Sequence, residues 1–374
     1  MTSNEEIIVI NDNKSSKNNN ISSKKSTKIM TLDYISLVKV IAAFSTVISY
    51  CNSFYYRIPN KDNRKYWRIA NFIDTLLYIA YPSFYLCMGA ILLNFNEKYG
   101  IGEYYKKRVK KMVIPFLCWN FILFIYKVYI LKDVPKNPMT FKYIWNLIFQ
   151  FKLNFIFKSI RSFLIVYMII PSFAYVEKEN KIKVYLYFIF ILFIFQILIP
   201  YFIKMYDYSL SWPFDIEIKY IVYVLSGYLI HNHYFSRNIK IVIYISGLMG
   251  FLIMFIGTEI LSIRDGELNN LHKYYLSLPC YIYSCSSFLF IKEYSELCFK
   301  IIKPNFINKI SELIMGPFLL HIPIMDTFRK LLDINEYGFK FRFLGTITIL
   351  NLSLFIAFVL TKIPVLKYLI PKFE

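Results

Sequence analysis

Repeated apolar runs of about 18–23 residues leave this chain few folds to choose from, because a helix of that length crosses roughly 30 Å of hydrocarbon. Inside lipid every backbone amide must be satisfied within its own segment, which makes each run a helix. Of 374 residues, 57% are hydrophobic and the mean hydropathy is +0.44, too apolar for a soluble domain of this length. The expected fold is therefore all-α, a polytopic membrane helical bundle of about ten transmembrane helices. Their spacing places spans at about 34–53, 69–94, 112–131, 160–176, 183–203, 217–231, 239–260, 274–292, 309–326 and 343–366.

Residues 1–31 are polar and low in complexity, with the run NDNKSSKNNNISSKKSTK, and lack the apolar core of a signal peptide. They read as a disordered basic cytosolic tail ahead of one membrane domain over 32–374. An even number of spans places both termini on one side. Lys and Arg divide almost evenly between the two sets of loops, so orientation rests on local evidence. The short segment Glu97 to Lys111, EKYGIGEYYKKRVKK, carries a basic cluster that should stay in the cytosol. The expectation is a multi-pass protein of the plasma membrane with both ends cytosolic. No internal repeat stands out, which argues against an inverted-repeat transporter.

The formal net charge of +20 does not make this a nucleic-acid binder. The basic residues are mostly Lys in loops between spans, which suits the anionic headgroups of membrane lipid. The 36 Phe and 33 Tyr suit lipid-facing surfaces and interfacial belts better than stacking platforms. The six cysteines are scattered without metal-site spacing, so neither a metal nor a disulfide framework is expected. No serine elbow, glycine-rich phosphate loop or HExxH motif occurs.

Several stretches carry more specific information. The first span, LDYISLVKVIAAFSTVISY, sets Lys39 and Tyr50 eleven positions apart. YPSFYLCMGAIL follows from Tyr81 to Leu92, with Pro82, Phe84 and Gly89. RVKKMVIP runs from Arg108 to Pro115, YVLSGYLI from Tyr223 to Ile230, and ISELIMGPFLLHIP from Ile310 to Pro323. In order and spacing these resemble the acyltransferase-3 family of integral membrane acyltransferases. That family has a basic residue in span one followed eleven residues later by a histidine, where Tyr50 stands here. It also has an R-x-x-R-I-x-x-P start to span three, here with Lys111 for the second arginine, and a late S-x-G-x-Y-L-x-H-x-P signature matched by Gly316, His321 and Pro323. Ser36 occupies a position where many relatives carry aspartate, and Met88 one where serine is usual.

The resemblance implies an acyl group, acetyl or succinyl in kind, taken from acyl-coenzyme A. The acceptor is a hydroxyl or amine on a cell-surface polysaccharide or lipid-linked sugar. Acyl transfer needs a base near neutral pH, and His321 is the only histidine well within an expected span, His231, His233 and His272 falling in loops or at span edges. The resemblance puts Lys39 and Tyr50 beside it in the catalytic set, and Arg108, Lys111 and Lys107 at the phosphates of the donor. Each residue also has a plainer reading. Lys39 can snorkel to headgroups, Tyr50 can be an interfacial aromatic, and His321 can be a buried histidine satisfied between helices. The basic cluster can act as a topology signal alone.

Among other charges, Asp74 lies deepest, with Lys39 as a candidate partner if spans one and two pack together. Lys127 is a further intramembrane charge, while Glu259, Asp326 and Lys362 near span ends are expected to be solvated. The SWPFD stretch, Ser211 to Asp215, reads as an interfacial turn. Two other functions remain open at this point: a non-catalytic scaffold working with glycan-assembly or export proteins, and a transporter or polymerase of lipid-linked glycans.

Overall fold

The computed structural model describes residues 33–370, apart from 58, 60–61, 135–139, 150–152, 154–155, 207–216, 332–334, 336 and 339. The expected basic tail and the SWPFD turn lie outside the described residues. Among those described there is no strand. The chain opens with α1 (Asp33–Cys51). It continues through α2 (Arg64–Leu77), α3 (Ala80–Leu92), α4 (Ile101–Arg108), α5 (Ile114–Ile125) and α6 (Phe141–Phe149). Next come α7 (Phe157–Ala174), α8 (Lys181–Leu192), α9 (Ile199–Met205), α10 (Ile221–Asn232) and α11 (Arg237–Leu252). The last are α12 (Thr258–Asp265), α13 (Leu278–Ile301), α14 (Pro304–Ser311), α15 (Met315–Leu331) and α16 (Thr346–Lys362).

Among the described residues, seven helical segments are long and apolar enough to cross a membrane: Asp33–Cys51, Arg64–Glu97, Ile101–Ile130, Phe157–Ala174, Lys181–Met205, Arg237–Asp265 and Phe341–Lys362. This is an all-α membrane bundle, as the apolar runs require. The remaining three expected spans are helical too, as α10, α13 and α15. With 12 residues, α10 is only about 18 Å long. Nearly every one of its side chains is buried against protein rather than lipid. Large apolar side chains such as Ile245, Leu248, Phe190 and Phe355 are instead exposed on the outer helices, where a hydrocarbon solvent would meet them.

Prolines set the breaks. A proline cannot donate to the carbonyl four residues earlier, and its ring crowds that carbonyl. Pro82 falls four after Tyr78, where α2 ends and α3 begins. Pro115 and Pro200 each follow a π-helical turn, Val109–Val113 and Phe193–Leu198. Pro171 inside α7 frees the carbonyl of Tyr167, and the Tyr104 hydroxyl donates to it at 2.9 Å. In lipid such a freed group needs a partner of this kind.

The motif glycines act as packing contacts. In lipid the hydrophobic effect does not pull helices together, so close backbone approach carries the association. A Cβ added at Gly89 of α3 would stand 1.7 Å from the Val224 carbonyl oxygen of α10. One added at Gly227 of α10 would stand 2.1 Å from the Leu86 carbonyl oxygen of α3. The two helices therefore touch backbone to backbone through reciprocal glycines. Gly316 of α15 meets Ala357 of α16 in the same way, at 2.3 Å.

Candidate active site

At the end of α1 the bundle leaves a cavity of about 120 Å³. Its wall comes from Thr46, Ser49 and Tyr50 of α1, Tyr55 and Tyr56 of the following turn, Asp74 of α2, Tyr78, Tyr81 of α3, Ser159 of α7, Asn270, Tyr275 and Phe318 of α15. Six of these are tyrosines, so the chamber is aromatic with hydroxyls at its edges. The rings pack on one another, Tyr81 on Tyr275 at 4.6 Å and Tyr78 on Tyr275 at 5.0 Å between centroids.

Asp74 is the one carboxylate on that wall, and its partner corrects the sequence expectation. It pairs with Lys273, Nζ to Oδ2 at 3.0 Å, rather than with Lys39. Both side chains are almost wholly buried, at 0% and 3% exposed. Ser49 donates to the other carboxylate oxygen at 2.8 Å. The ammonium also donates to Asn71 Oδ1 at 2.7 Å and to the Asn71 carbonyl at 3.2 Å, and lies 4.2 Å from the centre of the Tyr55 ring. The Tyr78 hydroxyl donates to the Lys273 carbonyl, and Tyr55 donates to Asn270 at 2.6 Å. Burial pushes Lys273 down to about 8, against the opposing pull of the Asp74 carboxylate. The sequence reading missed Lys273, since LHKYYLSLP gives it the look of any loop lysine beside a span.

His321 sits just behind this chamber, 1% exposed. Its ring lies 5.0 Å from that of Tyr50, tilted by 34°. Nδ1 is 2.6 Å from the Pro317 carbonyl, which assigns the proton to Nδ1 and leaves a lone pair on Nε2. Among the described residues, Nε2 has no hydrogen-bond partner. Tyr50 lines the chamber and His321 does not, and the imidazole packs on the Tyr50 ring.

The other predicted residues lie elsewhere. Lys39 is buried in α1 near Cys87 of α3, eleven residues and hence about 16 Å along the helix from Tyr50. Arg108, 3% exposed, is aimed inward, its guanidinium 5.3 Å and 5.2 Å from the centres of the Tyr104 and Tyr167 rings. Lys107, Lys110 and Lys111 border a second cavity of about 600 Å³ with Glu312, Thr361, Lys367 and Tyr368. Lys107, Lys110 and Lys111 share one face, as helical spacing requires, whereas Arg108, which that spacing puts on a stripe with Lys111, faces inward. Arg108 directly precedes the π turn Val109–Val113, in which Lys111 lies. This basic cavity lies toward the start of α1, where Asn308 of α14 donates to Asp33 at 2.7 Å.

Two charges expected to be solvated are paired instead. Glu259 is 7% exposed and receives Arg68 at 2.6 Å and Arg64 at 3.2 Å. Asp326 faces Lys127 at 3.9 Å and Arg329 at 3.8 Å. Lys362 is exposed, as expected. Among the described residues no cluster of His, Cys, Asp and Glu could hold a metal ion.

A polytopic bundle with an imidazole behind a polar chamber near one end of α1, and a lysine-lined cavity toward the other, has the parts of an intramembrane transferase. Residues 32–362 match the acyltransferase-3 family model, described as an acyltransferase domain. The chain therefore belongs to the acyltransferase-3 family and is a multi-pass membrane acyltransferase. No curated protein and no solved structure matches it significantly.

Proposed function

We propose that the protein moves an acyl group from acyl-coenzyme A to a hydroxyl or amine of a cell-surface polysaccharide or lipid-linked sugar, with His321 as the base. The observation that carries this reading is the unpartnered Nε2 of His321, one ring away from a polar chamber. Tyr50 acts as a gate: turning its ring aside admits the acceptor to Nε2. The imidazole takes the acceptor proton as the oxygen or nitrogen attacks the thioester carbonyl. The resulting tetrahedral intermediate breaks its C–S bond, and the departing thiolate regains the proton from the imidazolium. The products are the acylated sugar and coenzyme A. The aromatic chamber suits the acceptor, since rings of sugar pack on tyrosine faces and the Asp74–Lys273 pair leaves it without net charge.

The donor's phosphates belong at Lys107 and Lys111 in the basic cavity, where ammonium groups meet phosphate as point charges. Glu312 and Leu313, on the same wall, lead directly into α15 and its His321. Lys39 and Arg108 hold the surrounding helices and their charge in place. This assignment puts the basic cavity in the cytosol, in the plasma membrane, with both chain ends on that side.

One observation favours a second reading, a non-catalytic scaffold in glycan assembly or export: Tyr50 occupies the position of the family's first-span histidine and covers His321. The gate reading and the scaffold reading part on one variant. Under the gate reading Tyr50→Phe keeps acyl transfer and His321→Ala abolishes it; under the scaffold reading neither changes surface acylation.

A further inference from the structure

Two lysines converge on one ring at the C-terminal end of the bundle. Lys110 Nζ lies 4.9 Å and Lys367 Nζ 5.4 Å from the centre of the Tyr368 ring. Neither forms an ion pair among the described residues. Both ammonium groups are exposed at the edge of an apolar surface, so an anion at the bilayer surface meets two cations there. Lys110 and Tyr368 also belong to a neighbouring groove of about 800 Å³, so the basic cavity and the groove meet there. Below Lys110 the groove is apolar, walled by Ile114, Leu117 and Phe121 of α5 and by Val365 and Leu369 of the C-terminal turn. That turn is fixed to α5, because Trp119 donates its indole N–H to the Leu369 carbonyl at 2.9 Å.

We propose that this groove is a binding site for one anionic phospholipid, with an acyl chain along α5 and the phosphate between Lys110 and Lys367. The shape and the charge select the same occupant. An apolar slot on a membrane-spanning helix suits a lipid chain, and a paired ammonium site at its mouth suits a lipid phosphate. A zwitterionic lipid fills the slot equally well, but its own cation offsets its phosphate, so it leaves both lysine charges uncompensated where an anionic lipid neutralises one. The proposed donor site uses Lys107 and Lys111 of the same basic cavity and leaves Lys110 and Lys367 to the lipid.

Native mass spectrometry of the full chain in detergent, titrated with phosphatidylglycerol or phosphatidylcholine, tests the site without reference to activity. Wild type is expected to retain one phosphatidylglycerol in preference to phosphatidylcholine. The double variant Lys110→Gln, Lys367→Gln is expected to bind phosphatidylglycerol about thirtyfold more weakly, on the scale of two lysine contacts. Leu117→Trp, which fills the slot and spares both lysines, is expected to lose phosphatidylglycerol as well. Lys183→Gln, at an exposed lysine of α8, serves as the control and should behave as wild type. Equal retention of both lipids by wild type overturns the proposal. So does a double variant matching the Lys183→Gln control, or displacement of the lipid by coenzyme A, which would give these lysines to the donor.

Discussion

The two polar regions of this bundle handle charge in opposite ways. Beside the tyrosine-lined chamber, the buried Lys273 ammonium and Asp74 carboxylate neutralise each other, with Ser49 and Asn71 taking up further hydrogen bonds. Around the basic cavity, Lys107, Lys110, Lys111 and Lys367 share the wall with a single carboxylate, Glu312. The first region is electrostatically complete and serves to hold shape; the second keeps an excess of lysines over carboxylates on its wall, even with Lys107 paired to Glu103 at 2.9 Å. The proposed transfer from a polyanionic donor to a sugar would use this asymmetry, since phosphates need cations and an acceptor hydroxyl does not.

The comparison breaks most visibly at the buried pair. Lys273→Met leaves Asp74 as an uncompensated buried charge, and a loss of about 3–5 kcal/mol of stability is expected. Its measure is the thermal unfolding of purified protein in detergent. The double change Lys273→Met, Asp74→Leu should recover much of that loss, because the isolated charge is gone. A double variant no more stable than the single one would show that the pair does more than neutralise itself.

The basic cavity should respond the other way. Lys107→Ala with Lys111→Ala is expected to raise the KM for acyl-coenzyme A by about tenfold or more, on the scale of lost charge-assisted contacts. Stability should stay within about 0.5 kcal/mol, as for other surface substitutions. A large fall in stability with unchanged KM would reverse the roles assigned to the two regions. Tyr50→His, which restores the family's residue at that place, is expected to raise kcat, read as turnover of donor thioester. A variant with lower kcat would mean that the phenol itself has a catalytic task.

The smallest effect is expected at Glu259. Its arginine partners are half exposed, and such pairs contribute little. Glu259→Gln should shift the melting temperature by no more than about 2 °C.

The fold was largely legible because lipid imposes a single local rule: long apolar runs become helices. Gly89 and Gly316 stood out through the family resemblance of their motifs; Gly89 proves to touch the α10 backbone and Gly316 to pack on the Ala357 side chain. Pairings across the bundle were less accessible. Lys273 meets Asp74 across 199 positions of chain, and nothing local to LHKYYLSLP distinguishes it from a solvated lysine. Packing of spans one and two suggested Lys39 for that place, yet a residue ten positions before Ser49 on α1 lies too far along the axis. Helical counting did put Lys107, Lys110 and Lys111 on one face, but it did not foresee that Arg108 turns inward onto the Tyr104 and Tyr167 rings. His321 was legible from its motif, whereas its packing beneath Tyr50 was not.

The account stands or falls on His321. Mass spectrometry of surface glycans from a strain deleted for this protein, rescued with wild type or with His321→Ala, addresses it directly. The expected result is loss of an acyl mass on deletion, restored by wild type and not by His321→Ala, a difference of at least about a hundredfold in acylated glycan. Full restoration by His321→Ala, at equal levels of folded protein in the membrane, would contradict the assignment of the imidazole as base.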